Sequence, residues 1–444
     1  MTNATATSAG APPHAPTGEA RGTTPDQFEP SSQAAAPVRA ADRINSLDFI
    51  RGIAVMGILV ANIVAFGQPF NAYTYPEAFM VDDGDPGGWL WIGQFVLVDG
   101  KMRGLFTILF GAGMYLFMER TWARGGTRGL QAWRLFVLLL FGLAHFFLLW
   151  LGDILAMYAI IGFLALACLR WTARAQFVVG LGAYFFGALV YTLFSFPYFL
   201  TQTSLGEGEG MAETRAEMAA GIDTALADDL VDADLIISGN YAGWLAHRVS
   251  EDWYFPLFNS GMFFLETLPL MLIGMSLYRF GFFSSAFDRT RMVRWGWAGV
   301  IVGGVLSLLI GLIVKDADFG YWAANAAFLS WSPLPRLAMA LGLAALLVVY
   351  SPAWTGWLAE RVRAAGRAAF TNYIGTSVVM LFVMHGWALG LFGELNRPQL
   401  YLLTALTIGL MLLWSKPWLD RYRYGPLEWL WRCLTYRKLF PLRR

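Results

Sequence analysis

From Ser46 onward the chain is a succession of apolar stretches, each long enough to cross a lipid bilayer and separated by short polar breaks. A helix that spans the hydrocarbon core needs roughly 20 mostly apolar residues. Ten segments approach that length: 46–67, 104–119, 133–151, 153–169, 176–200, 254–278, 295–314, 334–350, 369–392 and 398–415. The runs are continuous rather than alternating, which in lipid selects helices over a barrel of short strands. The second is short and could begin earlier, within 89–98; the stretch 321–330 reads as a re-entrant or interfacial piece. The expected fold is therefore an all-α, polytopic transmembrane bundle of about ten spans. Only 14% of the 444 residues are charged, which excludes an ordinary soluble enzyme. The net charge of +1 gives no basic field for nucleic acid, and two cysteines rule out a disulfide scaffold.

Residues 1–42 are rich in Ala, Pro, Thr, Ser and Gly and read as a disordered tail. With the N-terminus placed in the cytoplasm, 24 of the 32 Lys and Arg fall inside and seven outside, Arg51 lying within the first span. That bias sets both termini in the cytoplasm. The domains are then the tail, a bundle over 43–415, and a cytoplasmic amphipathic segment over 416–444, where Trp418, Trp429 and Trp431 stand among arginines at headgroup level. Within the bundle, 201–252 is an acidic extracytoplasmic loop whose stretch 211–235 reads as a helical cap. It is either a solvated loop or a lid over an acceptor.

Ionisable groups are costly within a membrane, at least ~2.5–3.5 kcal/mol on insertion scales, so each one is a functional candidate. Asp48 and Arg51 lie one turn apart on the first span. They pair locally, or Arg51 receives an anionic group from the cytoplasm, such as a phosphate or a thioester carbonyl. His145 sits in the outer part of the third span, and Asp153 follows across a turn at Gly152. A helical hairpin puts these two within hydrogen-bond reach, giving an oriented base or a proton relay; the structural alternative is a core histidine satisfied by a backbone or hydroxyl partner. His385 occupies a similar outer position. Glu266 reads as mid-span and needs protonation or an Arg or His partner. Asn62, Arg103, Asn372 and Tyr373 complete the set. The Gly111-Ala112-Gly113 run suits close helix packing. There is no metal-ligand motif and no phosphate-cradling glycine loop, so a bound metal or cofactor is not expected.

The run from Arg43 to Asn62, with Ser46-Leu47-Asp48 followed by Arg51-Gly52, resembles the opening of the YeiB-like family of bacterial polytopic membrane proteins of unknown function. Four further stretches are similar to that family: 105–113, 142–145 with 152–155, 366–373, and 425–435. The resemblance covers residues 43–440 and implies a multi-pass protein of the bacterial plasma membrane. The same opening is similar to that of transmembrane acyltransferases, including the heparan glucosaminide acetyltransferase branch. This implies transfer of an acyl group from a cytoplasmic donor such as acyl-CoA to a sugar or envelope glycan on the other side. By resemblance Asp48 and Arg51 sit at the donor end, and Asn62 matches an Asn of that branch. The branch's catalytic His follows its first span, whereas 63–103 here contain none; His145 with Asp153 is the substitute inferred from geometry. In that scheme His145 is the general base, Asp153 orients it, and Asn62 or Arg103 stabilises the oxyanion. The alternative is a transporter or exporter of a small solute, with Glu266, His145 and His385 as proton or substrate sites. A sensor or scaffold is the third class. Neither the oligomeric state nor the acceptor or solute is readable from the residues.

Overall fold

The computed structural model describes residues 45–201, 208–284 and 287–444. The expected tail, 1–42, lies outside them. The described chain is helical, and among the described residues its only extended pairing is one isolated bridge between Tyr422 and Arg443. In order, the helices are α1 Asn45–Gly67, α2 Trp89–Leu97, α3 Lys101–Trp122, α4 Arg128–Leu148, α5 Leu155–Cys168 and α6 Ala173–Thr201, then α7 Ala212–Ile237, α8 Tyr241–Ser250, α9 Phe255–Met262 and α10 Phe264–Arg279. They continue as α11 Arg289–Asp316, α12 Tyr321–Ala326, α13 Pro333–Tyr350, α14 Trp357–Arg367, α15 Ala369–Met384, α16 Arg397–Arg421 and α17 Pro426–Tyr436.

Six of these, α1, α4, α6, α11, α13 and α16, are long and apolar enough to cross a membrane; counting each of two bent pairs as one span makes eight. The other two apolar segments of the sequence reading are α3, which carries Lys101, Arg103, Glu119 and Arg120, and α5, which has only 14 residues. Two expected spans differ in shape. The 254–278 segment is broken into α9 and α10, bent by 66°. The 369–392 segment is helical only to Met384, and α15 turns 87° from α14. Residues 89–98 form the separate α2, cut off from α3 by Gly100 in the left-handed region (φ 70°). The 321–330 stretch is α12 and a π-helical turn, Ala327–Trp331, leading into α13.

Burial sorts the helices into layers. In α1 and α13, 67% of the apolar window is buried, whereas α11 buries only 22%. The outer faces of α6, α11 and α16 expose rows of large apolar side chains, among them Phe186, Leu193, Val302, Ile313, Leu402 and Leu406. In water such rows would be prohibitive; in lipid they are the solvated face. One end of the bundle gathers basic side chains from α1, α3, α4, α14 and α17, and the opposite end carries the acidic α7, packed against α8. The expected helical cap is thus α7, held by Asp229, which accepts from Asn71 N (2.7 Å) and Nδ2 (3.0 Å), and by Ile236 O, which accepts from Gly386 N.

Candidate functional site

The α4–α5 hairpin is the local structure that creates the site. Gly142 faces the start of α5 so closely that a Cβ there would lie 2.2 Å from Ala156 N. This approach, open to glycine alone, brings Asp153 back over the last turns of α4. His145 Nδ1 is 2.8 Å from Asp153 Oδ1, and Asp153 Oδ2 accepts the Ala156 N–H at 2.6 Å. The second ring nitrogen, His145 Nε2, is 2.7 Å from Ser377 Oγ on α15. All three side chains are buried. The Tyr373 ring lies 5.0 Å from the imidazole, and its hydroxyl accepts from Ile154 N (3.2 Å) and donates weakly to Gly152 O (3.4 Å).

At the basic end a cavity of about 360 Å³ is lined by Arg51, Arg120, Arg124, Arg134, Arg367 and Arg432, with Asp48 and Glu428 as its carboxylates. Asp48 accepts from Arg51 Nη1 at 3.0 Å. Glu428 is committed elsewhere: it accepts the Phe370 and Thr371 N–H groups and so caps the start of α15. Phe106, Phe110 and Met114 supply an apolar wall. Six guanidinium groups beside an apolar wall suit an amphiphilic anion, and the volume falls in the range of small-molecule sites.

At the acidic end a smaller cavity, about 50 Å³, is lined by Gln68, Trp150, Asp229, Asp232, Arg248, Met384 and His385 among others. Burial raises the Asp229 carboxyl to about 6, against the hydrogen bonds from Asn71. His385 stands just beyond α15 among the rings of Tyr241, Trp244 and Trp387, its Nδ1 buried without a hydrogen-bond partner. Asp232, His247 and Asp252 offer ligand atoms within 4.8 Å of one another. Arg248 already sits there, 2.6 Å from Asp232 Oδ2 and 3.4 Å from Asp252, and supplies the positive charge those carboxylates need. The arrangement is an ion-pair network. Residue spacing does not reveal it, because the acids come from α7 and from the turn after α8.

Three helices run from one cavity to the other with the His145 network between. On α4, Gln131 and Leu135 line the basic cavity, Leu138 follows, then His145, with Leu149 just past the helix end at the acidic pocket. On α15 the order is Phe370, Tyr373, Ser377, Met384. On α1 it is Arg51, Val55 and Ile58, then Ala65 and Phe66, with the half-buried Asn62 on the same face. Arg51 to Ala65 is 14 residues, about 21 Å along the axis. Val55, Ile58, Leu138, Leu155 and Phe370 pack into one apolar cluster, whose α1 and α4 members fall between the two cavities in the order along those helices.

The remaining candidates are bonded to partners other than the His145 network. Glu266 lies near the middle of the bent α9–α10 pair, in the first turn of α10 after the break at Phe263. It accepts from Arg103 Nη2 (2.7 Å) and from Arg336 Nη1 (2.9 and 3.0 Å), while Arg336 Nη2 donates to Phe328 O and Ser332 Oγ. Arg103, expected as an alternative to Asn62 to stabilise the oxyanion, is thereby held at Glu266 and against the Phe263 ring. Asn372 donates to Ala365 O and Ser415 Oγ and accepts from Trp414 Nε1, which ties the α14–α15 bend to α16. Two participants carried no signal in the sequence: Ser377, a hydroxyl in an apolar helix, and Arg336, which read as an outer flanking charge.

Comparison with known proteins adds the family. Residues 277–438 match the family described as "Protein of unknown function (DUF418)". The chain is 27% identical over 422 residues to "Uncharacterized protein YxaH" of Bacillus subtilis (strain 168), covering 91% of this chain and 97% of that one. It is 29% identical over 412 residues to "Uncharacterized protein YeiB" of Escherichia coli (strain K12), covering 90% of this chain and 98% of that one. No solved structure matches. The chain is thus similar over nearly its full length to YeiB and YxaH, both uncharacterised, and its residues 277–438 match a family of unknown function.

Proposed function

We propose that the protein is a multi-pass acyltransferase of the bacterial plasma membrane. It moves an acyl group from a cytoplasmic thioester of the coenzyme A type to a hydroxyl or amine of an envelope glycan outside. The observation that carries this reading is the common order of residues on α1, α4 and α15: an arginine-lined cavity, an apolar cluster, the His145 network, then a second pocket at the acidic end. The arginines suit the phosphates of the donor, and the apolar wall suits its pantetheine arm. With its Nδ1–H donated to Asp153, His145 presents the Nε2 lone pair as a base. The outer pocket at about 50 Å³ holds a few waters, so an acceptor enters when the α7–α8 cap lifts.

The test uses purified protein in lipid nanodiscs with acetyl-CoA as the probe and release of free thiol as the readout. His145→Ala is expected to slow release by about 10²–10⁴-fold, the usual contribution of a general base. Unchanged release in a folded His145→Ala protein would remove this histidine from the mechanism. A comparison of envelope glycans between a deletion strain and its parent identifies the acceptor through a missing acyl group.

One feature favours the transport reading: both bent pairs, α9–α10 and α14–α15, are discontinuous helices of the kind that frame midplane sites in transporters. Proton-coupled flux through reconstituted vesicles, lost in Glu266→Gln with the fold intact, would favour transport over transfer.

A further inference from the structure

Ser377 departs from the ordinary behaviour of a helical hydroxyl. Such groups commonly bond back to a carbonyl in the preceding turn, and its neighbour Thr376 does so, donating to Tyr373 O at 2.7 Å. Ser377 Oγ instead faces His145 Nε2 at 2.7 Å, and the imidazole is fixed from behind by Asp153 at 2.8 Å. Asp153 in turn is fixed by the Ala156 N–H. Hydroxyl, imidazole and carboxylate come from α15, α4 and the α4–α5 turn, and all are buried. That is the geometry of an activated nucleophile: a carboxylate setting the tautomer, a base, and a hydroxyl in line.

We propose that Ser377 is a nucleophile that carries the acyl group as a serine ester between the two faces; this rests on the acyl-transfer reading above. His145 Nε2 takes the Ser377 proton as Oγ attacks the thioester carbonyl. The tetrahedral intermediate collapses, the C–S bond breaks, and the departing thiolate takes the proton from the imidazolium. In the second step the acceptor hydroxyl gives its proton to His145 and attacks the ester. The ester bond breaks, and Ser377 Oγ recovers the proton. No redox partner is needed. Asp153 is a positioning residue. Tyr373, one turn before Ser377 and bonded to Gly152 O only at 3.4 Å, is placed to turn its O–H toward the oxyanion. A covalent carrier also explains why the network sits between two cavities rather than in either. Donor and acceptor need never be present together; Ser377 lines neither cavity, so in this scheme the donor reaches it when the apolar cluster parts and the acceptor when the α7–α8 cap lifts.

Two probes test this on the full-length protein in nanodiscs: an alkyl fluorophosphonate, which reports an activated serine alone, and isotopically labelled acetyl-CoA. The expected result is one fluorophosphonate adduct and one acetyl ester on Ser377, both absent in Ser377→Ala and both formed about 10²–10⁴-fold more slowly in His145→Gln. Ser377→Cys keeps the size of the side chain and is expected to hold the acyl group as a thioester cleaved by neutral hydroxylamine. Full acetyl transfer by Ser377→Ala, or absence of any adduct on Ser377 while His145→Ala still lowers thiol release, overturns the serine and leaves acyl transfer standing. An adduct on Ser377 in a protein that leaves acetyl-CoA intact keeps the nucleophile and overturns the thioester donor.

Discussion

The close approach at Gly142 makes a sharp prediction. A methyl group there would lie 2.2 Å from Ala156 N and 2.7 Å from Ala156 Cα. Reaching ordinary contact near 3.5 Å requires α4 and α5 to part by about 1.3 Å. The same displacement stretches His145–Asp153 from 2.8 Å to about 4 Å, outside hydrogen-bond range. The Ala156 N–Asp153 Oδ2 bond at 2.6 Å is local to the start of α5 and moves with it. One hydrogen bond to a charged group is worth roughly 1.5–3 kcal/mol, and the gain in helix propensity from Gly to Ala is about 1 kcal/mol. Gly142→Ala is therefore expected to destabilise by about 0.5–2 kcal/mol and to abolish labelling of Ser377. The control is Gly304→Ala on α11, where a Cβ meets nothing within 4 Å and the change is expected to be neutral or slightly stabilising. Thermal unfolding in detergent and the rate of fluorophosphonate labelling measure both effects. If Gly142→Ala melts with Gly304→Ala and labels at the wild-type rate, the hairpin does not hold the imidazole as argued.

Other expectations follow from the remaining polar clusters. Glu266→Gln leaves Arg103 and Arg336 buried without a counter-charge and should cost about 3–5 kcal/mol, read as a lower melting temperature; a stable Glu266→Gln protein would mean that the carboxylate is not the hub of that network. Arg51→Gln should weaken binding of coenzyme A by about tenfold, one charge-assisted hydrogen bond, with the affinity of the parent protein falling as salt rises; calorimetry with coenzyme A checks both. Docking of α7 should depend on pH. The Asp229 carboxyl is raised to about 6 by burial, with Asp232 and Asp228 adding to the rise and the Asn71 bonds opposing it. The folded state thus holds that proton more tightly than the unfolded chain. The stabilisation is full below about 3.8 and is lost as pH rises through about 6. The hydrogen-exchange protection factor of α7, taken relative to the intrinsic exchange rate at each pH, should be higher at pH 5 than at pH 7, and Asp229→Asn should flatten that difference.

Much of the architecture is legible in the residues because burial in lipid leaves a strong one-dimensional trace. The long apolar runs mark the helices, and the clustering of arginines marks one end of the bundle. The pairing of His145 with Asp153 is legible for a local reason: eight residues with Gly152 between them form a single turn. Ser377 lies 232 residues from His145, and nothing in its neighbourhood separates it from Thr376, whose hydroxyl only serves the helix. Arg336 is hidden in the same way, 70 residues from Glu266. The bend between α14 and α15 has no proline at the break. It is held by Asn372 bonding to Ser415 and Trp414, and by Glu428 at the first N–H groups of α15, all partners distant in sequence. Apolar periodicity reports solvent, not partners, so features fixed by a remote polar group leave no trace near the residue they fix.

The Glu428 cap also orders events during synthesis. The first N–H groups of α15 wait for a carboxylate that lies 57 and 58 residues further along the chain. The same C-terminal helix closes on α4, where Trp133 Nε1 donates to Leu434 O and Trp431 Nε1 to Arg134 O. The two helices that carry Ser377 and His145 are thus both fastened by α17, which is synthesised after either of them. A nascent chain can insert its spans one after another, yet the start of α15 stays uncapped until residue 428 arrives, and a product cut short before α17 would lack both fastenings.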